Sequence, residues 1–203
     1  MGANIEIING PFDVYHAPVG ESFTDLSQTP AGNWTKIGTN ASRHYGEDGV
    51  ILSFEQDIEE KSFAGGPEIL EYRRTLERFK CSFKLFDLVS AQFVKALNLL
   101  IVTNDTAPGA SQGGSQDFEI LRGNSVTALA ILIRGENKST ELVTENIQIN
   151  IPAAIQIANL EMVINKSDIA GLAFELQAKA DYTYNSGNSP YGQIFVGDAP
   201  PSS

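Results

Sequence analysis

Apolar and polar residues alternate with period two over much of the chain. In Asp48 to Glu60, "DGVILSFEQDIEE", Val50, Leu52, Phe54 and Ile58 fall on one face. Ser53, Glu55, Asp57 and Glu59 fall on the other. That is the pattern of a half-buried strand. Glu77 to Phe86, "ERFKCSFKLF", repeats it, with Phe79, Cys81, Phe83 and Leu85 opposed to Arg78, Lys80, Ser82 and Lys84.

The two segments predict an antiparallel pair folded about the middle of residues 61–76. Asp57 then faces Lys80, Glu59 faces Arg78, Glu55 faces Ser82 and Ser53 faces Lys84. On the opposite side Phe54 meets Phe83 and Ile58 meets Phe79. A one-residue slip would mix the two faces, so the pattern specifies the register. The connection over 61–76 is long against the usual hairpin loop of about 2–5 residues. Its Phe63, Ile69, Leu70 and Tyr72 are too apolar for a solvated linker. It is expected to pack on something, another subunit included.

"DLVSAQFVKALNLL" places Leu88, Val89, Phe93, Ala96, Leu97 and Leu100 at helical spacing and predicts a helix over about residues 88–100, with Asp87 or Ser90 as the cap. "DFEILRG", "SVTALAILIRG", "ELVTENIQINIP" and "AIQIANLEMVI" read as strands, as does "GLAFELQAKADYTY", where Leu172, Phe174, Leu176, Ala178 and Tyr182 share a face. Residues 1–20 and 185–203 read as arms that dock elsewhere. The expected fold is mainly β: an antiparallel β-sandwich or barrel with one packed α-helix, in a single domain spanning 1–203.

Composition narrows the functional classes. A 42% hydrophobic content supports a real core. No apolar run reaches about 18 residues, so no membrane span is expected, and the start lacks the basic and apolar segments of a signal peptide. The single cysteine, Cys81, excludes an intrachain disulfide framework and lies on an apolar strand face. Net charge is −11, which disfavours sequence-specific nucleic-acid binding in the absence of a basic patch.

Catalytic signals are poor. "GASQG", Gly109 to Gly113, matches the nucleophile-elbow spacing around Ser111. That motif needs a strand entering and a helix leaving, whereas here a polar loop enters and a strand leaves. His16 and His44 both precede Ser111, and with one cysteine they supply no metal-ligand set. Acid pairs such as Glu59–Glu60 read as solvated. Asn-x-Ser/Thr triplets at Asn33, Asn40, Asn104, Asn137 and Asn165 read as chance in a chain rich in those residues. Neither an enzyme nor a cofactor is expected.

Several ordered stretches resemble one family. "VYHAPVG", "PAGNWTKIGTN" and "HYGEDGVILSFEQDIEE" are similar to the N-terminal part of the tail tube (major tail) proteins of long-tailed bacteriophages. "AGGPEILEYRRTLE", "FKLFDLVSAQFVKALN", "GLAFELQAKAD" and "SPYGQIFV" continue the resemblance over nearly the whole chain. The set in this order is specific, although no single piece is. Ala41 and His44 depart from the family's frequent Gly and Asn.

The resemblance implies a structural protein of a non-contractile tail. Its subunits form hexameric rings that stack into a tube, and genome DNA passes through the lumen without sequence-specific binding. Other implied partners are the tape measure, tail terminator and tail tip or baseplate proteins. The implied location is the virion, after synthesis in the host bacterial cytoplasm. The long loop then becomes a ring-stacking element carrying Phe63, Gly65, Gly66, Pro67, Ile69, Leu70, Tyr72, Arg73 and Arg74. The candidate lumen face holds Glu55, Asp57, Glu59, Arg78, Lys80 and Lys84, with Glu175 and Asp181 adding negative charge. Trp34 becomes an anchor in a glycine-rich structural turn. Two alternatives remain. One is a terminator or tip ring protein of related fold. The other is a carbohydrate-binding or adhesion β-sandwich, which calls for an exposed aromatic platform, with Trp34 and a few tyrosines as candidates.

Overall fold

The computed structural model describes residues 6–38, 45–46, 48–62, 69–86, 88–97, 102–107, 113–118, 126–139, 144–159 and 170–196. Strands β1 (Glu6–Pro18), β2 (Thr35–Ile37), β3 (Ile51–Ser62) and β4 (Ile69–Leu85) precede helix α1 (Ser90–Ala96). A small hairpin, β5 (Val102–Thr106) and β6 (Ser115–Phe118), follows. Then come β7 (Leu129–Ser139), β8 (Thr144–Gln156), β9 (Leu172–Ala178) and β10 (Gln193–Val196). The main sheet is antiparallel, in the order β2-β1-β7-β8-β9-β4-β3, and β10 also pairs with β8. The mainly-β fold read from the alternation is the fold found.

β8 joins the two layers. One of its edges pairs with β7 along most of its length. The other edge is divided: Ile147 to Asn150 pair with β10, and Ala154 to Gln156 pair with β9. Pro152 lies between the two stretches, where a residue without an N–H costs no ladder bond. The core is shared across the layers. Val14, Ile131, Ile133, Ile149 and Ile151 come from β1, β7 and β8, and Cys81, Phe83, Leu85, Leu172, Phe174 and Leu176 from β4 and β9. Phe83 and Phe174 stack at 4.9 Å. β9 is buried at every second residue, as its sequence predicts.

A second cluster, Ala17, Trp34, Ala130 and Leu132, lies on the other side of β1 and β7. Trp34 is only 7% exposed and donates its indole N–H to the Ser22 carbonyl at 3.0 Å. It is an anchor, as read, and is buried too far to be a binding platform. Tyr45 ties the strand-turn region to the sheet. Its hydroxyl accepts the Val14 N–H (3.1 Å) and donates to the Ile37 carbonyl (2.7 Å), bridging β1 and β2.

Several expectations are corrected. Residues 6–18 are not a docking arm: they form β1, paired with both β2 and β7. The tail through Val196 docks on its own chain as β10. Gly192 has φ +136°, and a Cβ there would collide with the Asn150 carbonyl, so the close approach of this segment to β8 requires glycine. The described helix stops at Ala96 and is capped at Val89 with no side-chain cap bond. Asp87 and residues 98–100 lie outside the described residues. The buried Gln156 side chain takes over part of the anchoring, donating to the Ala96 and Ala173 carbonyls and accepting the Glu175 N–H.

Candidate functional site

The β3–β4 pair is the centre of both candidate surfaces, and its register differs from the expectation. Ser53 faces Lys80, Phe54 faces Phe79, Glu55 faces Arg78 and Asp57 faces Leu76. The shift from the expected pairing is an even number of residues, so each side chain keeps its predicted face. The cause is the position of the turn. Residues 61–62 still belong to β3 and 69–76 already belong to β4, so the expected loop over 61–76 is mostly strand. Past Asp57 the pairing jumps to Ile58 opposite Arg74, leaving Thr75 as a bulge whose hydroxyl donates to the Asp57 carbonyl.

On the charged face the structure brings together Glu55, Arg78, Lys80 and Glu175. Lys80 Nζ lies 3.0 Å from Glu55 Oε1 and 3.3 Å from Glu175 Oε1, and Arg78 reaches Glu55 at 4.0 Å. The hydrogen bonds to Glu55 and then Glu175 hold the Lys80 ammonium above the ordinary lysine range. Glu55 therefore makes the pairs that the expected register gave to Asp57 and Glu59. Glu59 lies opposite Arg73 farther along the ribbon. Lys84 sits on the same outward side, over the Phe86 ring at 5.3 Å. Asp181 is not brought to this face. β9 ends at Ala178, and Asp181 lies in the following turn, where Thr183 donates to it from both Oγ1 and N–H and lowers its pKa. Tyr182, in that same turn, is exposed and not on the β9 face.

Of the candidate stacking residues, Phe63, Gly65, Gly66 and Pro67 lie outside the described residues. Ile69 and Leu70 open β4, and Tyr72, Arg73 and Arg74 continue it. Arg74 pairs with Glu77 across the bulge. The outer ribbon is solvated on both sides: Phe54, Ile58 and Tyr72 are 56%, 53% and 64% exposed. β3 ends the sheet order, so its outer backbone edge has no strand partner among the described residues. Sequence alternation had placed Phe54 and Ile58 on an apolar face without showing that, among the described residues, both stay more than half exposed. A groove of about 290 Å³ opens there, lined by Phe54, Phe79, Ile149, Tyr191 and Ile194.

The catalytic candidates gain nothing from the geometry. Cys81 is fully buried, and burial pushes its thiol up to about 12. Burial, with a smaller contribution from the charge of Lys95, lowers the His16 imidazole to about 4. His44 and Ser111 lie outside the described residues. Among the described residues no group of three or more His, Cys, Asp or Glu side chains gathers as a metal site. No described helix is long and apolar enough to cross a membrane. Neither a scan against protein-family models nor a search of curated proteins finds a match to the chain.

Proposed function

We propose that the chain is a structural subunit of a bacteriophage tail tube, forming hexameric rings that stack into the conduit for genome DNA. The observation that carries this reading is the β3–β4 ribbon. It combines a 12-residue strand whose outer edge has no strand partner among the described residues with exposed Phe54, Ile58 and Tyr72. A long, apolar, unpaired edge is an aggregation hazard in an isolated domain. It is the natural bonding surface of a subunit that closes into a ring. The ordered stretches from "VYHAPVG" to "SPYGQIFV" support the tail-tube kind of ring by their resemblance to that family.

In this reading the Glu55, Arg78, Lys80 and Glu175 face lines the lumen with its charges paired. A wall whose cations are already satisfied offers passing phosphates few sites to hold. Tape measure protein and DNA are transient occupants, and terminator and tip proteins meet the ends of the tube in the virion.

The test is electron microscopy of phage particles from the source, labelled with an antibody to this protein. Label along the whole tail shaft is the expected result. Label at one end alone reassigns the chain to a terminator or tip protein. Particles without label overturn the reading. A tube map with Lys80 on the outer surface would reject the lumen assignment by itself.

A further inference from the structure

The outer face of the β1-β7-β8 layer carries a cleft of about 550 Å³. This size falls within the usual range for small-molecule sites, roughly 300–1,000 Å³. The even-numbered residues of β8 form its floor. Gln148 and Asn150 are 2% and 3% exposed, and Pro152 completes the row. The 20–26 segment, the 181–185 turn and Phe195 of β10 form the walls.

The walls are held in place by polar contacts to the sheet. Arg134 donates to the Asp25 and Gln28 carbonyls and to Gln148 Oε1. Gln148 Nε2 donates to the Thr24 carbonyl (2.7 Å) and to Asn150 Oδ1 (2.9 Å). Phe23 is fixed between Trp34 (5.1 Å) and Tyr184 (5.4 Å). The loop that forms the cleft is thus tied to the sheet from beneath.

One donor on the cleft floor is not used within the described residues. Asn150 Oδ1 is taken by Gln148, but its Nδ2 donates to no acceptor among the described residues. Among the described residues the fully enclosed side-chain atoms without a partner are His16 Nε2, Gln92 Oε1 and Arg134 Nε, so Asn150 Nδ2 is open to the cleft and available to donate to a molecule there. At the rim the Asp25 carboxylate is likewise without a side-chain partner among the described residues. Glu21 and Asp181 add two more carboxylates.

This combination selects a ligand class. An anion would meet three carboxylates, Glu21, Asp25 and Asp181. A metal ion would meet the N–H side of Asn150, with the Arg134 guanidinium behind Gln148. A neutral polyol suits both ends, because each hydroxyl donates to a carboxylate and accepts from an amide. Its C–H face also suits the aromatic walls, Phe23 and Phe195.

We propose that this cleft binds a neutral saccharide, with Asn150 Nδ2 donating to one hydroxyl and the Asp25 carboxylate accepting from another. The binding does not rest on the tube reading. Its placement would: the cleft and the Lys80 face lie on opposite outer faces of the sandwich, so a Lys80 face turned to the lumen turns the cleft to the outside.

The test is saturation-transfer NMR on the full chain. Glucose, galactose, mannose and N-acetylglucosamine are each offered at millimolar concentration, with glucuronate as the charged control. At least one neutral sugar should receive saturation, and its titration should move the Asn150 side-chain amide signals. Asp25→Ala, an exposed site with no partner to lose, should bind at least about tenfold more weakly. The proposal is overturned if no neutral sugar is saturated or if the Asn150 amide does not move. Unchanged binding in Asp25→Ala, or glucuronate binding as well as the neutral sugars, overturns it too. None of these outcomes bears on where the antibody labels a particle.

Discussion

The Lys80 ammonium lies 3.0 Å from the Glu55 carboxylate across two strands that the chain pairs in register. Glu175, on the strand at the other side of β4, approaches the same nitrogen at 3.3 Å. One cation thus ties together three strands on a face open to water.

Such exposed pairs add little to stability, so their signature is in titration. Glu55→Gln should bring the Lys80 pKa down toward the ordinary lysine range and leave the urea midpoint nearly unchanged. NMR of the lysine side chain against pH measures the first, and an unfolding curve the second. A Lys80 titration indifferent to Glu55 would remove this pair from the account.

Gln156 predicts the opposite balance. Its amide satisfies the Ala96 and Ala173 carbonyls and the Glu175 N–H from a buried position. Gln156→Leu leaves these groups without that partner and should cost about 2–4 kcal/mol in urea unfolding. Hydrogen exchange should accelerate first in α1, whose end the side chain holds. Uniform acceleration across the sheet would argue against a local clasp.

Tyr45→Phe removes a single oxygen that joins the Val14 N–H to the Ile37 carbonyl. The ring remains to pack against Phe83 at 5.4 Å. The expected loss is about 1–3 kcal/mol, with faster exchange at the Val14 amide. A variant as stable as the parent would show that the bridge is dispensable.

His16 makes stability depend on pH. Burial holds its folded pKa at about 4, against an ordinary value of 6.5. The unfolded chain therefore takes up a proton near pH 6.5 that the folded chain refuses until about pH 4. This contribution is fully present above pH 6.5, is lost as pH falls between those values, and levels off below. The loss is on the order of 3 kcal/mol. Carboxylates also titrate at the acid end, so the comparison is with His16→Gln, which should flatten the unfolding free energy between pH 6.5 and 4.5. Parallel pH profiles for the two proteins would acquit the imidazole.

The strands with clean alternation were legible from sequence, β9 most clearly, and so were the two faces of β3 and β4. The register was not. "ILEYRRTLE" breaks period two because β4 carries bulges in it, with Thr75 the residue left over at the first. A segment that alternates imperfectly reads as loop, and moving the turn moves every pair behind it. β1 was hidden for a related reason: Tyr15 and His16 are both half-buried, so neither face looks polar. In the cleft, "ELVTENIQINIP" reads as a strand with no face assigned to Gln148 and Asn150, which the structure turns away from the isoleucines. Alternation had no means of showing that Arg134 pins residues 24–28 over them, more than a hundred positions away in the chain.

The division of β8 at Pro152 has a consequence for how this chain can vary. From Ile147 to Ile151 every residue is buried, isoleucines toward one side and amides toward the other. Adding or deleting a single residue there would turn the amides into the apolar interior and the isoleucines into the cleft, while pulling β9 and β10 out of step with each other. Loops elsewhere can lengthen at modest cost. In this strand the count of residues is itself conserved by physics, so length changes tolerated at the ends of β8 should be lethal to folding between Ile147 and Gln156.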